Sequence, residues 1–461
     1  MSDSPNPTPA AAEDTPLPPG PSSTPLTQAV RFLRDPLGSH RADAERYGPV
    51  HTVSMPGGFR MAIVSDPTLA HEVFATDRDI GLAGRVRTVF LEPIVGRNSL
   101  LTLDGDEWMR QRKMLGSAFH GRRVERYATE MAEVAARHVD TWPTGTPFAL
   151  RPRFQDITLE IILRVVFGVS DTDRLRRLTT LVPPLLRSMD ALNTQMMFLP
   201  IATWRRLDPW LRHVPGTPNA KFARLRRATD TLIYTQITEH RRATDLADRD
   251  DILSALLRAR DPEGNELSDL ELRDALVTLL LAGHETTATT LAWCFERLMR
   301  TPEVHDRARR AAATGDTDYL EAVAKEALRS RPVVPDMPRV LTQPMNLGGY
   351  HIPKGWWVAP SALATHHAPE HFPEPEEFRP ERFQTGEIDP QSWIPFGGGR
   401  RQCLGAQFAL LELRAILPEV LRRVLLHAPA GAPGERLRMQ HVTLVPQRDA
   451  RAVAAPVSAP E

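Results

Sequence analysis

Cysteine is almost missing from this sequence, which contains two cysteines, Cys294 and Cys403, among 461 residues. Two cysteines cannot build the disulfide framework that stabilises many small secreted domains. They also cannot supply the cysteine pairs of a structural zinc site. The shortage argues against both classes of protein, and it draws attention to Cys403, which has unusual neighbours.

Net charge and long apolar runs at the start of the chain are lacking as well. The 57 acidic and 57 basic residues give a net charge of +0, which argues against a nucleic-acid-binding protein with a broad basic face. Residues 1–25 have no signal-peptide pattern and no apolar run that could span a bilayer. We therefore expect a cytoplasmic enzyme without an integral membrane span.

The residue pattern predicts a mainly helical chain with a small β region. Strand-like runs at Val50–Met55 and Met61–Ser65 flank a turn of Pro and Gly, which indicates a hairpin. Helical spacing dominates residues 105–330. For the remainder we expect strands within 338–360, irregular coil over 369–382, and a helix over Leu404–Leu426 that Pro418 kinks or ends early.

Cys403 follows a run of three glycines and precedes an apolar stretch that is typical of a helix. A lone Cys-x-Gly is usually a buried structural cysteine, and a glycine run can mark a phosphate loop. The phosphate-loop spacing and its lysine are missing here. The helix N-terminus and Arg401 should make the surroundings of Cys403 electropositive and so keep its sulfur ionised. Such a thiolate suits an axial ligand of haem iron.

A second motif lies in the middle of a long predicted helix. The capping box at 268–271 opens this helix, which runs to Arg300 and is apolar on nearly all faces at its centre. Burying Glu285 there is costly unless it is paired or functional. The neighbouring hydroxyls of Thr286 and Thr287 can bond to the helix backbone. A zinc-protease signature is excluded because Ala288 stands where a second histidine is required.

Two further pairs have ordinary explanations when taken alone. Glu326 and Arg329 have the spacing of a routine surface ion pair on a helix. Trp108 and Arg112 fit an amphipathic helix, although an indole N–H and a guanidinium also suit a carboxylate ligand.

Together these motifs resemble the cytochrome P-450 family, whose cysteine loop has the pattern Phe-x-x-Gly-x-Arg-x-Cys-x-Gly. Phe396, Gly399, Arg401, Cys403 and Gly405 match every fixed position. The resemblance implies a mainly α prism around one haem b. It covers residues 26–446, between a disordered proline-rich lead-in at 1–25 and a flexible tail at 447–461.

The resemblance also implies roles for single residues. Cys403 would be the proximal iron ligand. Thr286 would hold dioxygen and a water in a locally widened helix, while Glu285 relays protons. Ala282 and Gly283 would line the haem, with Gly283 leaving room over it. The haem propionates would be bound by Trp108, Arg112, Arg401 and Arg339. A buried network of Glu326, Arg329 and Arg382 would hold the cysteine loop in place.

The implied reaction is monooxygenation, with electrons from NAD(P)H delivered by an external ferredoxin or flavodoxin and its reductase, since no fused reductase is expected. A peroxide-driven or isomerising haem-thiolate enzyme and a non-enzymatic haem sensor remain alternatives. As a docking patch for the electron donor we predict the basic residues Arg110, Lys113, Arg122, Arg123 and Arg126.

The substrate is expected to be lipophilic. By resemblance, the pocket should draw on residues 80–103, 185–200, Val333–Met337 and those around Val442. The second of these stretches is apolar and adaptable, although simple helix packing explains it equally well. Its candidate lining residues are Met189, Leu192, Met196, Met197 and Phe198.

Overall fold

Helices form most of the chain, and the strands are short. The computed structural model describes residues 15–119, 123–198, 201–440 and 442–456. The helices are α1 (Pro25–Arg34), α2 (Pro36–Tyr47), α3 (Pro67–Ala75), α4 (Ala83–Val95), α5 (Gly105–Ser117), α6 (Arg123–Val139), α7 (Leu150–Ile161), α8 (Thr172–Phe198), α9 (Ile201–Leu211), α10 (Pro218–Arg242), α11 (Ile252–Arg258), α12 (Asp269–Arg300), α13 (Pro302–Thr314), α14 (Thr317–Ser330), α15 (Ala362–Thr365) and α16 (Ala406–Arg423). In this part of the chain, no helix is long and apolar enough to cross a membrane.

The strands form small sheets beside the helices. They are β1 (Val50–Met55), β2 (Phe59–Val64), β3 (Gly81–Leu82), β4 (Pro147–Ala149), β5 (Arg339–Leu341), β6 (Met345–Leu347), β7 (Tyr350–Ile352), β8 (Trp357–Pro360), β9 (Val424–His427), β10 (Leu437–Gln440), β11 (Thr443–Pro446) and β12 (Arg451–Pro456). The largest sheet has the order β1-β2-β8-β5-β3. Its antiparallel β1–β2 hairpin confirms the turn predicted from the sequence.

Helix α12 is the central column of the fold. Its predicted capping box is present: the Ser268 hydroxyl accepts from the Glu271 amide at 3.2 Å, and the Glu271 carboxylate accepts from the Ser268 amide at 2.8 Å. The helix ends at Arg300, as predicted, before Thr301 and Pro302.

Two large apolar clusters surround different halves of α12. The N-terminal half, from Leu272 to Leu280, packs with α4, α8, α10 and α11. The C-terminal half, from Ala288 to Leu298, packs with α6, α7, α14 and α16. The segment 282–287 lies between the clusters, so the polar motif predicted at this point falls where apolar packing is interrupted.

Helix α16 continues through Pro418 and ends at Arg423, three residues before the predicted Leu426. Two sequence predictions about the ends of the chain are wrong. Residues 15–25 are not a disordered lead-in, since Pro19 O accepts from Thr52 N at 2.7 Å and α1 begins at Pro25. The tail is also ordered up to Pro456, because β12 pairs with β4 and β9. Residues 1–14 and 457–461 lie outside the described residues.

A fully buried ion network joins α14 to the coil that leads to the cysteine loop. Arg329 donates to both carboxylate oxygens of Glu326, at 2.7 and 2.8 Å. Arg382 Nε donates to Glu326 at 3.3 Å. The remaining Arg329 donors bond to the carbonyls of His366 and Pro375. The carboxylate of Glu326 and the guanidiniums of Arg329 and Arg382 therefore hold four chain segments together.

We expect Arg329→Ala to destabilise the protein severely. The substitution leaves the Glu326 carboxylate buried beside a single guanidinium, and breaking such a pair typically costs about 3–5 kcal/mol. Thermal unfolding and soluble yield measure the effect. Lys325→Ala is the matched control, because Lys325 lies on the same helix and forms a partly exposed pair with Glu321, worth about 1 kcal/mol or less. Equal melting temperatures for Arg329→Ala and wild type would contradict the structural role.

A second buried carboxyl group, Glu412 on α16, lies against α12. Among the described residues, neither of its carboxylate oxygens has a hydrogen bond of good geometry. Burial raises the pKa of Glu412 from 4.5 to about 8, and the nearby Thr287 hydroxyl opposes this shift only in part. The folded protein therefore keeps a proton that the unfolded chain releases above about pH 4.5.

Glu412 should accordingly reduce stability as the pH rises from about 4.5 towards 8, by up to about 1.4 kcal/mol for each pH unit. The buried His51, His305 and His366 have lowered pKa values and act in the opposite direction below about pH 6.5, so the contribution of Glu412 is measured by comparison with a variant. Glu412→Gln cannot ionise, so its free energy of unfolding, measured with urea across the window, should increase relative to that of wild type as the pH rises. Glu419→Gln, at an ion-paired position of the same helix, should keep the wild-type slope. An unchanged slope in Glu412→Gln would show that this residue is ionised in the folded protein.

Candidate active site

The loop before α16 presents Cys403 through backbone contacts. The Cys403 amide donates to Phe396 O at 2.9 Å, which closes the loop. A Cβ atom at Gly398 would lie 2.4 Å from the Phe74 ring, and one at Gly399 would lie 2.7 Å from Phe74 O. These two glycines are therefore explained by close packing on α3. Gly405, at the start of α16, has open space around its Cβ position.

The surroundings of Cys403 do not ionise its sulfur by themselves. Protein atoms crowd the side chain although the residue is accessible, and this burial raises the pKa of the Cys403 thiol. The Gly405 amide, Arg112 and Arg87 lower the pKa, but they do not reverse the shift. Arg112 and Arg87 thus act in the direction expected from the sequence, but burial opposes them. A bound metal cation deprotonates a coordinating thiol.

The centre of α12 has one accessible face. Ala282 is exposed and Thr286, one helical turn later, is half-buried, within a helix that is otherwise mostly buried. The Thr286 hydroxyl donates to Ala282 O at 2.5 Å. Its hydrogen is thereby engaged, and the oxygen lone pairs remain able to accept a hydrogen bond.

The widened helical turn lies on the neighbouring helix. Helix α12 is α-helical throughout, whereas a π-helical turn follows α7 at Ile162–Val166. A Cβ atom on Gly283 would lie 2.7 Å from Ile162 Cδ1 in this turn. The expected widening of α12 is therefore wrong, and the π-helical turn approaches Gly283 through the end of the Ile162 side chain, which would have to shift to admit a Cβ atom.

Glu285 has two hydrogen-bond partners that the sequence left unidentified. Its carboxylate accepts from Arg151 Nη1 at 2.6 Å and from Gln155 Nε2 at 2.8 Å, both on α7. Arg151 Nε also donates to Asp449 at 2.7 Å. Asp449 has a φ of 59°, an uncommon conformation for a residue other than glycine. The buried Arg151 thus links the centre of α12 to the turn before β12.

Trp108 lies between two arginines at the start of α5. The Arg401 guanidinium carbon is 4.3 Å from the centre of the indole ring, and that of Arg112 is 5.5 Å from it. Arg112 donates to Gln402 O at 2.9 Å, and Arg401 donates to Asp104 at 2.5 Å. The structure therefore brings together three of the four residues predicted to bind propionates.

Arg339, the fourth, is held by protein groups. It donates to both carboxylate oxygens of Asp77, at 3.1 and 3.0 Å, and to Met337 O at 2.5 Å. Arg87 on α4 was not predicted as a haem-binding residue, because residues 80–103 were expected to line the substrate pocket. Burial, and next the positive charge of Arg339, lowers the pKa of Arg87 to about 10. The sequence signal that could have identified Arg87 is an arginine within a largely apolar helix.

This cluster of arginines has more positive than negative charge. The cluster has four positive charges, on Arg87, Arg112, Arg339 and Arg401. It has two negative charges, on Asp77 and Asp104. Burial lowers the pKa of Arg401 to about 10 although Asp104 opposes the shift. Arg401 Nη1 is buried without a hydrogen-bond partner among the described residues. The residues present fit a haem, whose two carboxylates would balance the charge while the Cys403 sulfur binds iron.

The predicted basic patch is only partly available. Arg110 is paired with Asp261 and Glu271, at 2.8 and 2.6 Å, and Arg126 is paired with Asp250. Carboxylates thus offset part of the charge of these two arginines, and their role in docking stays a prediction. Lys113 is exposed. Arg122 and the side chain of Arg123 lie outside the described residues.

The predicted pocket residues are distributed between core and surface. Met189 and Leu192 are buried in the cluster around the N-terminal half of α12, as expected if they serve helix packing. Met337 lies beside the cysteine loop, with its sulfur 3.1 Å from the Cβ position of Gly397. Val442 is exposed at the tip of the β10–β11 hairpin. The side chains of Met196, Met197 and Phe198 lie outside the described residues.

Comparison with known proteins identifies this arrangement. The family model for cytochrome P450 matches residues 18–451. Cytochrome P450 135B1 of Mycobacterium tuberculosis is 41% identical over 448 residues, which cover 94% of this chain and 90% of that protein. Cytochrome P450 137 of the same organism is 37% identical over 406 residues, which cover 88% and 83% of the two chains.

Solved structures agree with the sequence relatives. A cyanobacterial CYP120A1 with bound retinoic acid superposes with a TM-score of 0.80 at 25% identity, covering 96% of this chain and 100% of that chain. The haem domain of cytochrome P450DA gives a TM-score of 0.79 at 24% identity, covering 96% and 98%. The predicted fold is therefore confirmed, and the chain belongs to the cytochrome P450 family of haem-thiolate monooxygenases.

Proposed function

We propose that this enzyme inserts one oxygen atom of O2 into a C–H bond of a lipophilic small molecule. The second oxygen atom leaves as water, which requires two protons and two electrons from outside. We infer that NAD(P)H supplies the electrons in the cytoplasm, through a ferredoxin or flavodoxin and its reductase. The observation that carries the proposal is the cysteine loop docked beside an arginine cluster with surplus positive charge.

The protein groups would bind haem b from two sides. Cys403 is the proposed iron ligand, and Arg401, Arg112 and Trp108 are the proposed partners of the carboxylates. We add Arg87 to this set because its charge lacks a carboxylate partner among the described residues. Arg339 would act mainly by holding Asp77 and by contributing charge. When bound, the haem supplies the redox chemistry, and a thiolate ligand favours O–O cleavage.

The shape of the cysteine loop depends on residues that need not touch iron. Phe396 supplies the carbonyl that accepts from the Cys403 amide, and its ring packs against Trp393, with ring centres 5.9 Å apart. Gly399 permits contact with α3, and Gly405 places an amide at the sulfur. These contacts fix the position of the sulfur before any ligand binds, which is how neighbouring groups tune a metal site.

Protons are proposed to reach the accessible face of α12 through Thr286 and Glu285. With its hydrogen donated to Ala282 O, the Thr286 hydroxyl can accept from a water or from protonated oxygen. Glu285 is bound to Arg151 and Gln155, so a relay requires it to leave at least one of them. Arg151 retains Asp449 when this happens, and its buried charge stays paired.

A lipophilic substrate is supported by the apolar surroundings of α12. Leu279 and Leu281 border the accessible Ala282, and Phe90 and Leu101 pack against the same cluster. A related structure contains retinoic acid, an apolar isoprenoid acid. We propose an apolar substrate of comparable character, such as a fatty acid, terpenoid, steroid or polyketide.

Replacing Cys403 tests the proposed iron ligand. Reduced, carbon monoxide-treated wild type should show the strongly red-shifted Soret band of a thiolate haem. Cys403→His should lose that band, because imidazole donates less electron density to iron. Cys294→Ala is the matched control, since burial keeps the pKa of Cys294 far above its usual value and this thiol should remain inert. A red-shifted band that persists in Cys403→His would refute the assignment.

Replacing Thr286 tests proton delivery. Thr286→Ala should bind haem and substrate normally yet form less product per NAD(P)H consumed, with more peroxide released. Loss of general acid–base assistance is typically worth about 10²–10⁴-fold in rate. Thr286→Ser keeps the hydroxyl and should remain close to wild type. If Thr286→Ala is as well coupled as wild type, the proton route does not use this residue.

A further inference from the structure

The segment between α4 and α5 is attached to both sides of the proposed site. Near its start, the hydroxyls of Ser99 and of Thr278 on α12 are hydrogen-bonded at 2.6 Å. At its end, Arg401 of the cysteine loop donates to Leu103 O at 2.8 Å. We call residues 96–104 the bridging segment, because it extends from the central helix to the arginine cluster.

The attachment to α12 lies on the same row of side chains as the accessible face. Residues four positions apart lie on one face of a helix. One such row of α12 comprises Asp274, Thr278, Ala282 and Thr286. The Thr278 hydroxyl donates to Asp274 O at 2.6 Å, just as the Thr286 hydroxyl donates to Ala282 O. The bridging segment is therefore fixed to α12 one helical turn before the accessible Ala282.

The carboxylate of Asp274 holds the start of the bridging segment. Asn98 donates to Asp274 Oδ2 through its backbone nitrogen at 3.1 Å and through Nδ2 at 3.0 Å. A Cβ atom at Gly96 would lie 2.1 Å from Asp274 Oδ1, so the chain passes directly over the carboxylate. Asp274 is buried, and a buried carboxylate is costly unless its oxygens are bonded. The bridging segment supplies two of these bonds.

Arg273 supplies the remaining bond and keeps Asp274 in place. Its Nη1 donates to Asp274 Oδ1 and to Ile94 O, each at 3.0 Å. Its Nε donates to Asp230 on α10 at 2.8 Å. The ion pair between Arg273 and Asp274 lies within α12 and does not involve the bridging segment. Asp274 is therefore a fixed anchor, and the half-buried Asn98 is its partner on the segment.

We propose that Asp274 is a positioning residue that sets the size of the substrate pocket by holding the bridging segment beside the accessible face of α12. Between the two attachments, Leu100 and Leu101 are half-buried and pack with the cluster that includes Leu279, close to Ala282. Held in place, they form a fixed apolar wall, which favours ligands whose apolar body fills the space between the wall and the helix. This inference rests on the proposed function, because the pocket is that of the haem-bound enzyme.

Asn98→Asp in the haem-loaded protein tests the proposal. The substitution keeps the shape of the side chain but places a second negative charge against Asp274, and like charges repel strongly away from bulk water. Amide hydrogen exchange in the bridging segment should become at least about tenfold faster. Binding of 4-phenylimidazole to the haem iron, followed by the Soret band, should weaken at least about fivefold, because apparent affinity falls with the fraction of binding-competent protein. Imidazole, which lacks the phenyl ring, should bind as it does to wild type.

A control and a rescue variant accompany this measurement. Asn265 bonds to the Asp261 carboxylate through the same two nitrogens, at 2.7 and 3.2 Å, on the loop before α12. Asn265→Asp should therefore bind 4-phenylimidazole as wild type does. Asn98→Asp combined with Asp274→Asn restores a donor and an acceptor across the original contact, and Arg273 retains Asp230. This double variant should recover most of the lost affinity.

The inference is overturned if Asn98→Asp binds 4-phenylimidazole with wild-type affinity, or if affinity falls while hydrogen exchange in the bridging segment is unchanged. Equal weakening of imidazole and 4-phenylimidazole also overturns it, because the whole haem environment would then be disturbed. If wild type binds neither azole at iron, the proposed haem ligation fails. Faster exchange in Asn98→Asp would in that case still support Asp274 as the anchor of the segment, and unchanged exchange would refute it.

Discussion

The division of the apolar core along α12 is the constraint on which the site depends. A helix of 32 residues packed uniformly by apolar neighbours would have no place for a carboxylate and a reactive hydroxyl at its centre. Here each half packs with a different cluster. The intervening segment 282–287 combines an exposed Ala282, an ion-paired Glu285 and a backbone-bonded Thr286. Core packing thus holds both ends of the helix rigidly and leaves the middle available for chemistry.

On the cysteine side of the site, protein groups do not fully compensate the charges that they surround. The arginine cluster beside the cysteine loop is undercompensated: burial lowers the pKa of Arg87 and Arg401, and one Arg401 nitrogen lacks a partner among the described residues. The Cys403 thiol likewise has a raised pKa. A ligand with two carboxylates and a metal cation would compensate the arginine charges and favour the deprotonated form of the Cys403 thiol. Ligand binding should therefore contribute directly to the stability of the folded state.

Local sequence signals predicted α12 and the β1–β2 hairpin. The capping box defined α12, and the hairpin signal defined β1–β2, because both depend on bonds within a few residues. The cysteine loop, Trp108 and Arg112 were recognised from fixed spacing. The features that could not be predicted depend on distant contacts. The partner of Glu285 lies on α7, and Arg339 is paired with Asp77. The pKa of Cys403 could not be predicted either, since burial is a property of the assembled structure.

The turn before β12 is linked through Arg151 to Glu285, and thus to the proposed proton relay. Asp449 and Ala450 both have positive φ values, 59° and 52°, which is uncommon for such residues and is maintained only where surrounding contacts compensate. The backbone carbonyls of this turn accept from the amides of Leu150 and Arg151, so the turn is fixed to the start of α7. The Asp449 carboxylate shares the Arg151 guanidinium with Glu285, accepting from Nε while Glu285 accepts from Nη1. Because Arg151 keeps a carboxylate partner in either arrangement, moving Glu285 need not leave an unpaired buried charge. The C-terminal strand therefore belongs to the same physical unit as the centre of α12.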